Sequence, residues 1–143
     1  MKSFVDSLLG YQAQNLVPRK GLLIKSYVGS ELFKSLRKHD ATPTSFSVFG
    51  EYGIKLGMRD NYYTLSKREL SLEEIFIHSL DSAEDLRQRL FCILFYLKYK
   101  DKLEGVDHPM MDEIKAALKG EKMKSCPSME DIEDRARLYE IEL

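Results

Sequence analysis

The spacing of apolar residues changes near Leu70, and this change most limits what the chain can become. Upstream, the even positions Phe46, Val48, Tyr52, Ile54, Leu56 and Met58 are apolar with Gly50 as the exception, and the odd positions are mostly Ser, Gly, Glu, Lys and Arg. A period of two belongs to a half-buried strand. Downstream of Leu70 the period becomes about 3.6, that of amphipathic helices. The expected fold is therefore α+β. A small antiparallel sheet with one or two helices fills the N-terminal half, and the C-terminal half is helical. Residues 1–70 and 71–143 form two lobes of what is expected to be one compact domain.

Local signals refine this picture. Phe4, Val5, Leu8 and Leu9 predict an amphipathic helix over Ser3 to Asn15, broken at Pro18. Gly21 to Val28 reads as a strand. Ser30 reads as the N-cap of a helix from Glu31 to His39 with Leu32, Phe33 and Leu36 as its stripe. Asp60-Asn61 reads as a two-residue turn that pairs Arg59 with Tyr62 and Leu56 with Leu65 in a hairpin. Ser71 and Glu74 have the spacing of a capping box for a helix ending near Leu80. Ser82 and Asp85 repeat the start signal for a helix to Tyr99. Pro109 and Gly120 bracket a helix from Met110 to Lys119, and Ser128 offers the cap of a last helix.

Charge divides the chain at the same place. Residues 1–70 hold eleven Lys and Arg against six Asp and Glu, whereas residues 71–143 hold eleven against seventeen. A net charge of −1 thus conceals a basic and an acidic half. No apolar run reaches the roughly 20 residues of a membrane span. The expectation is a cytoplasmic protein without membrane association, whose Cys92 and Cys126 are free thiols.

Catalytic and cofactor chemistry finds little support. His39, His78 and His108 match no metal-ligand spacing with Cys92 or Cys126, and His78 reads as a structural histidine of its helix. Neither a dinucleotide-type Gly-x-Gly-x-x-Gly turn nor a Gly-Lys-Ser/Thr phosphate loop occurs. Gly29-Ser30 followed by Asp40 resembles the layout of nucleotidyltransferases. However, Ala41 and Thr42 stand where a second metal-binding carboxylate is needed. Pairs such as Glu73-Glu74, Asp131 with Asp134 and Glu130 with Glu133 read as solvated helix faces. The sequence nominates no catalytic residue, metal ligand or cofactor.

Two binding readings remain. Phe91, Phe95 and Tyr99 widen the apolar surface of the helix around Ser82 to Lys102. That surface packs on two sides or grips a protein partner or a second copy. In the basic half, Arg19, Lys20, Lys34, Arg37, Lys38 and Arg59, interleaved with tyrosines, are candidates for phosphate contacts.

Three segments carry a resemblance: Phe49 to Gly57 leading into Tyr62 to Leu65; Leu72 to Leu80 with Leu94 to Leu103; and Pro127 to Asp131. In this order they resemble the region downstream of the winged helix in archaeal and bacterial antitoxin-like regulators that partner nucleotidyltransferase-type toxins. The resemblance runs from about Val17 to the C-terminus and implies a toxin as protein partner. It also implies a DNA-reading winged helix ahead of this region, where only 16 residues stand, so no DNA-reading residue carries over. The expected function is a non-enzymatic interaction or regulatory module. The alternatives are a nucleic-acid-binding protein that uses the basic half, and an enzyme whose site forms only in the fold.

Overall fold

The computed structural model describes residues 21–27 and 30–143. The helix expected over Ser3 to Asn15, together with Arg19 and Lys20, lies outside the described residues. Leu22–Tyr27 (β1), Ser30–Ser35 (β2), Thr42–Pro43 (β3) and Asn61–Thr64 (β4) form a sheet in the order β1-β2-β4-β3, with every neighbouring pair antiparallel. The helices Leu72–Ser82 (α1), Leu86–Lys98 (α2), Lys100–Leu103 (α3), Met110–Leu118 (α4) and Met129–Leu138 (α5) follow. The fold is α+β, with its sheet in the N-terminal half and these helices in the C-terminal half.

The segment after Ser30 is a strand and not the expected helix. A helix would have set Leu32, Phe33 and Leu36 on one stripe, whereas the structure buries Leu32 and Phe33 completely and leaves Leu36 65% exposed. Strand alternation sends Phe33 to one face, where it meets Tyr63 and His39. Lys34 goes to the other face and reaches Glu84 beyond α1. β2 lies between β1 and β4 and is covered on both faces. A weak helix cap at Ser30 cannot compete with two ladders of backbone hydrogen bonds.

The expected hairpin through Asp60-Asn61 is also corrected. Ser45–Tyr52 forms a 3₁₀ helix, and residues 54–58 are extended without joining the sheet. With three residues per turn, a 3₁₀ helix puts Phe46, Phe49 and Tyr52 on one face. Phe49 stacks on Phe95 with ring centroids 4.4 Å apart, and Tyr52 meets the same ring edge-on at 5.6 Å. Gly53 ends this helix at φ 86°, in the left-handed region, and a Cβ there would lie 1.9 Å from Lys98 Nζ. Beyond it the alternation persists as burial alone: Ile54 is buried, Leu56 and Met58 are half-buried, and Lys55, Gly57 and Arg59 are exposed. Both edges of β4 are already taken by β2 and β3, so this segment cannot pair with β4 as the hairpin required.

The helical half follows its caps. Ser71 Oγ accepts from the Glu74 amide while the Glu74 carboxylate accepts from the Ser71 amide, which closes the capping box of α1. Asp85 caps α2 by accepting from the Gln88 amide, whereas Ser82 belongs to the end of α1. Ser128 caps α5, and Gly120 follows α4 at φ 91°. The core gathers between sheet, 3₁₀ helix and α2, where Ile93, Leu94 and Phe95 are fully buried. Cys92 and Cys126 are buried free thiols. Burial pushes Cys92 up to about 12 and also raises Cys126, so neither is a reactive thiolate at neutral pH.

Candidate functional site

Ion pairing sorts the described basic residues of the N-terminal half into two groups. Lys25 lies 3.4 Å from Asp81, Lys67 lies 4.0 Å from Asp40, and Arg68 makes a two-pronged contact with Glu74. Lys34 lies 2.5 Å from Glu84 and 4.0 Å from Asp60, with its side chain only 14% exposed. Lys34, named from sequence as a candidate phosphate contact, is thus already engaged and ties β2 to the entry to β4 and to the loop after α1. Among the described residues, Arg37, Lys38, Lys55 and Arg59 are exposed and have no carboxylate partner.

These unpaired cations gather at one end of the sheet. Ser35, the last residue of β2, faces Asn61, the first of β4. The two N–H groups of the Asn61 side-chain amide are shared among the carbonyls of Ser35, Leu36 and Arg37 at 3.3, 3.5 and 3.4 Å. It thereby holds the loop carrying Arg37 and Lys38 against the segment carrying Arg59. A groove of about 420 Å³ beside Asn61 is lined by Lys55, Met58 and Asp60 among others. Asp60 opposes an anion there, and Lys34, which is closer to Glu84, offsets its charge only in part. The exposed Leu36 adds an apolar contact beside the cations. Asn61 reads in sequence as a turn residue, and its positioning role is visible only once β2 and β4 are side by side.

The aromatic candidates go elsewhere. Phe91 and Phe95 are 2% and 0% exposed, so the structure realises two-sided packing of α2 and leaves neither ring on a surface. Phe95 lies between Phe49 and Phe76. Tyr99 is half-buried, with its hydroxyl donating to the Tyr52 carbonyl at 2.9 Å. Of the three, only Tyr99 keeps any accessible surface for a partner.

Two polar clusters occupy the interior. Asp81 on α1 accepts from Tyr27 Oη on β1 and from His108 Nε2 at 2.8 Å, with Lys25 nearby. His108 Nδ1 accepts from the Met110 amide at 3.0 Å, which places the proton of the neutral ring on Nε2. This cluster fastens β1 and the start of α4 to α1. Separately, His78 Nδ1 lies 2.6 Å from Thr44 Oγ1, and both residues are buried. Beside Thr44, the buried Ser45 hydroxyl has no hydrogen-bond partner among the described residues, and its backbone is left-handed at φ 55°. No three His, Cys, Asp or Glu side chains converge as metal ligands would among the described residues. No helix among them is long and apolar enough to cross a membrane.

His78 carries a pH dependence. Desolvation lowers its pKa and outweighs the opposing pull of Glu74 and Asp81, so the folded ring is neutral near pH 7. A lowered folded value means that the unfolded chain binds the proton more readily. The stabilisation is complete above the unfolded value of 6.5 and is lost as pH falls below it. Urea midpoints at pH 7.5 and 5.5 should therefore differ, with the lower pH less stable, and His78→Gln should shrink the difference. An unchanged difference in that variant would assign the effect to other groups. Comparison with known proteins finds no family model that matches the chain, and no similar curated protein or solved structure.

Proposed function

We propose that the chain is a non-enzymatic interaction module that contacts the phosphate backbone of a nucleic acid through the basic end of its sheet. The observation that carries this reading is the sorting of cations among the described residues: the unpaired, exposed Arg37, Lys38, Lys55 and Arg59 gather around Asn61, while Lys25, Lys34, Lys67 and Arg68 lie beside carboxylates. Phosphate contacts need charges that are not already neutralised, and a protein surface gains affinity by releasing the counterions condensed on the polyanion. A toxin-like protein partner, which the antitoxin resemblance suggested, has lost Phe91 and Phe95 as anchors. It would have to use a different surface.

The test is fluorescence anisotropy on a labelled 20-residue RNA strand and a DNA duplex of the same length, across a salt series. Affinity should fall steeply with salt. The triple variant Arg37→Glu, Lys38→Glu, Arg59→Glu should bind at least about tenfold more weakly. On the duplex, the slope of log K against log salt should fall by about 0.9 for each contact removed. Lys67→Glu, at the other end of the sheet, should change little. Absence of binding at low salt, or a triple variant that binds as well as the parent, would defeat this reading.

A further inference from the structure

At the opposite end of the same sheet, a crevice of about 230 Å³ opens between the strands and α1. Its sheet side carries Tyr27, Ser30 and Thr64, and its helix side carries Ile77 and His78. The linker into α1 supplies Ser66 and Leu70, and the Arg68–Glu74 pair also lines it. At ~30 Å³ per water it holds roughly eight waters, which is the scale of one small metabolite.

The polar groups of this crevice are held in place but not all satisfied. His78 is 7% exposed and bonded through Nδ1 to Thr44, and among the described residues its Nε2 takes no partner. Unlike the Ser45 hydroxyl, Nε2 is not sealed from solvent, and it keeps access to the crevice that His78 lines. A buried ring nitrogen held by its other nitrogen and left open on this side has the arrangement of a preorganised hydrogen-bonding group. Ser30 and Thr64 hydroxyls bond each other, and the Ser66 amide donates to Ser30 Oγ at 3.2 Å, which fixes the hydroxyl side.

Charge and lining define what fits. Arg68 and Glu74 hold each other through two contacts, and this pairing keeps the Glu74 carboxyl at about 2. The pair neutralises itself, so the crevice presents no net charge to a ligand and favours an uncharged one. A polyol would strand hydroxyls against the Tyr27 ring, Leu70 and Ile77. A flat ring system buries its apolar faces there and turns its polar edge to the hydroxyls and the imidazole. We propose that this crevice binds an uncharged heterocycle of nucleobase size, with His78 Nε2 as its principal hydrogen-bonding partner.

The site is separate from the basic sheet end, and a probe without phosphate separates the two experimentally. The full chain, labelled with ¹⁵N, is titrated with adenosine and with cytidine, using ribose and inorganic phosphate as controls. At least one nucleoside should give saturable shifts of the Thr64, Ser66 and His78 amides and of the His78 Nε2 resonance, and the affinity should be insensitive to salt. Ribose and phosphate should give none. His78→Phe should weaken binding at least about tenfold, the effect expected when a site loses the hydrogen bond it was built to make. Should that variant fail to fold, Ile77→Trp, at a half-buried position on the helix side, should abolish the shifts by filling the space. Failure of both nucleosides to saturate, equal binding of ribose or phosphate, or undiminished binding by a folded His78→Phe or Ile77→Trp chain would overturn the proposal. Loss of polyanion binding in the triple variant would leave these nucleoside shifts unaltered.

Discussion

Phe95→Ala should cost about 3–5 kcal/mol of stability, the range for truncating a buried aromatic ring in a packed core. Phe95 is fully buried at the centre of four other rings. Phe49 stacks on it at 4.4 Å and 13°, Phe76 at 6.1 Å and 15°, and Tyr52 and Tyr99 approach at 5.6 and 5.2 Å. The ring joins the 3₁₀ helix, α1 and α2, so its removal leaves a cavity that no single element can close. A domain of this size has about 5–15 kcal/mol in hand, so the loss is a large share of the total. Urea unfolding of the variant should show a much lower midpoint with an unchanged slope. Phe95→Asp should not fold, because the core offers no partner for a carboxylate. A folded Phe95→Asp chain would mean that the ring is not core, and would restore it as a partner contact.

The contrast between the two halves shows what a sequence carries and what it leaves to the fold. The helices were legible because their signals are local: Ser71 with Glu74 and Ser128 with Asp131 are pairs three residues apart that work within one turn, whereas the start signal read from Ser82 and Asp85 falls to Asp85 with Gln88. The sheet half was misread where the decisive partners are distant. Alternation from Ile54 to Met58 reported burial correctly, but a ladder also requires a free neighbouring edge, and β2 and β3 had taken both edges of β4. Ser30 to Leu36 imitated a short helix because three apolar residues suit either period. Phe33 belongs opposite Tyr63, thirty residues later. The candidate site was half legible for the same reason. Arg37, Lys38 and Arg59 stand out in sequence as basic residues, yet nothing distinguishes Lys34 from Lys38 until Glu84 and Asp60 are brought to it. The mate of His78 is Thr44, 34 residues earlier, between β3 and the 3₁₀ helix.

Asp81→Ala should produce the second large loss, about 2–6 kcal/mol at about 1–3 for each of two donors left unpaired, because it removes the one acceptor shared by Lys25 and Tyr27 of β1 and His108 ahead of α4. The Asp81 and His108 side chains are only 12% and 9% exposed, so water cannot readily replace the missing carboxylate. Without it, Tyr27 Oη and His108 Nε2–H become donors with no acceptor, and β1 and the start of α4 lose their common tie to α1. Desolvation alone would raise the Asp81 pKa, but hydrogen bonds from Tyr27 and His108, with the nearby Lys25 charge, outweigh it and the folded value is lowered. The stabilisation is thus complete above the unfolded value of 3.8 and is lost as pH falls through the folded one. The parent chain should lose stability on acidification in this window, and Asp81→Ala should show a smaller loss there from a lower starting point. Asp81→Asn should fall between them, since its amide keeps one acceptor and puts a donor where the second oxygen was. Hydrogen exchange locates the effect: the amides of β1 and of the first turn of α4 should lose protection before those of α2, whose anchorage is the aromatic stack. Equal loss of protection in all three, or an Asp81→Ala chain as stable as the parent, would show that Asp81 does not hold these elements together.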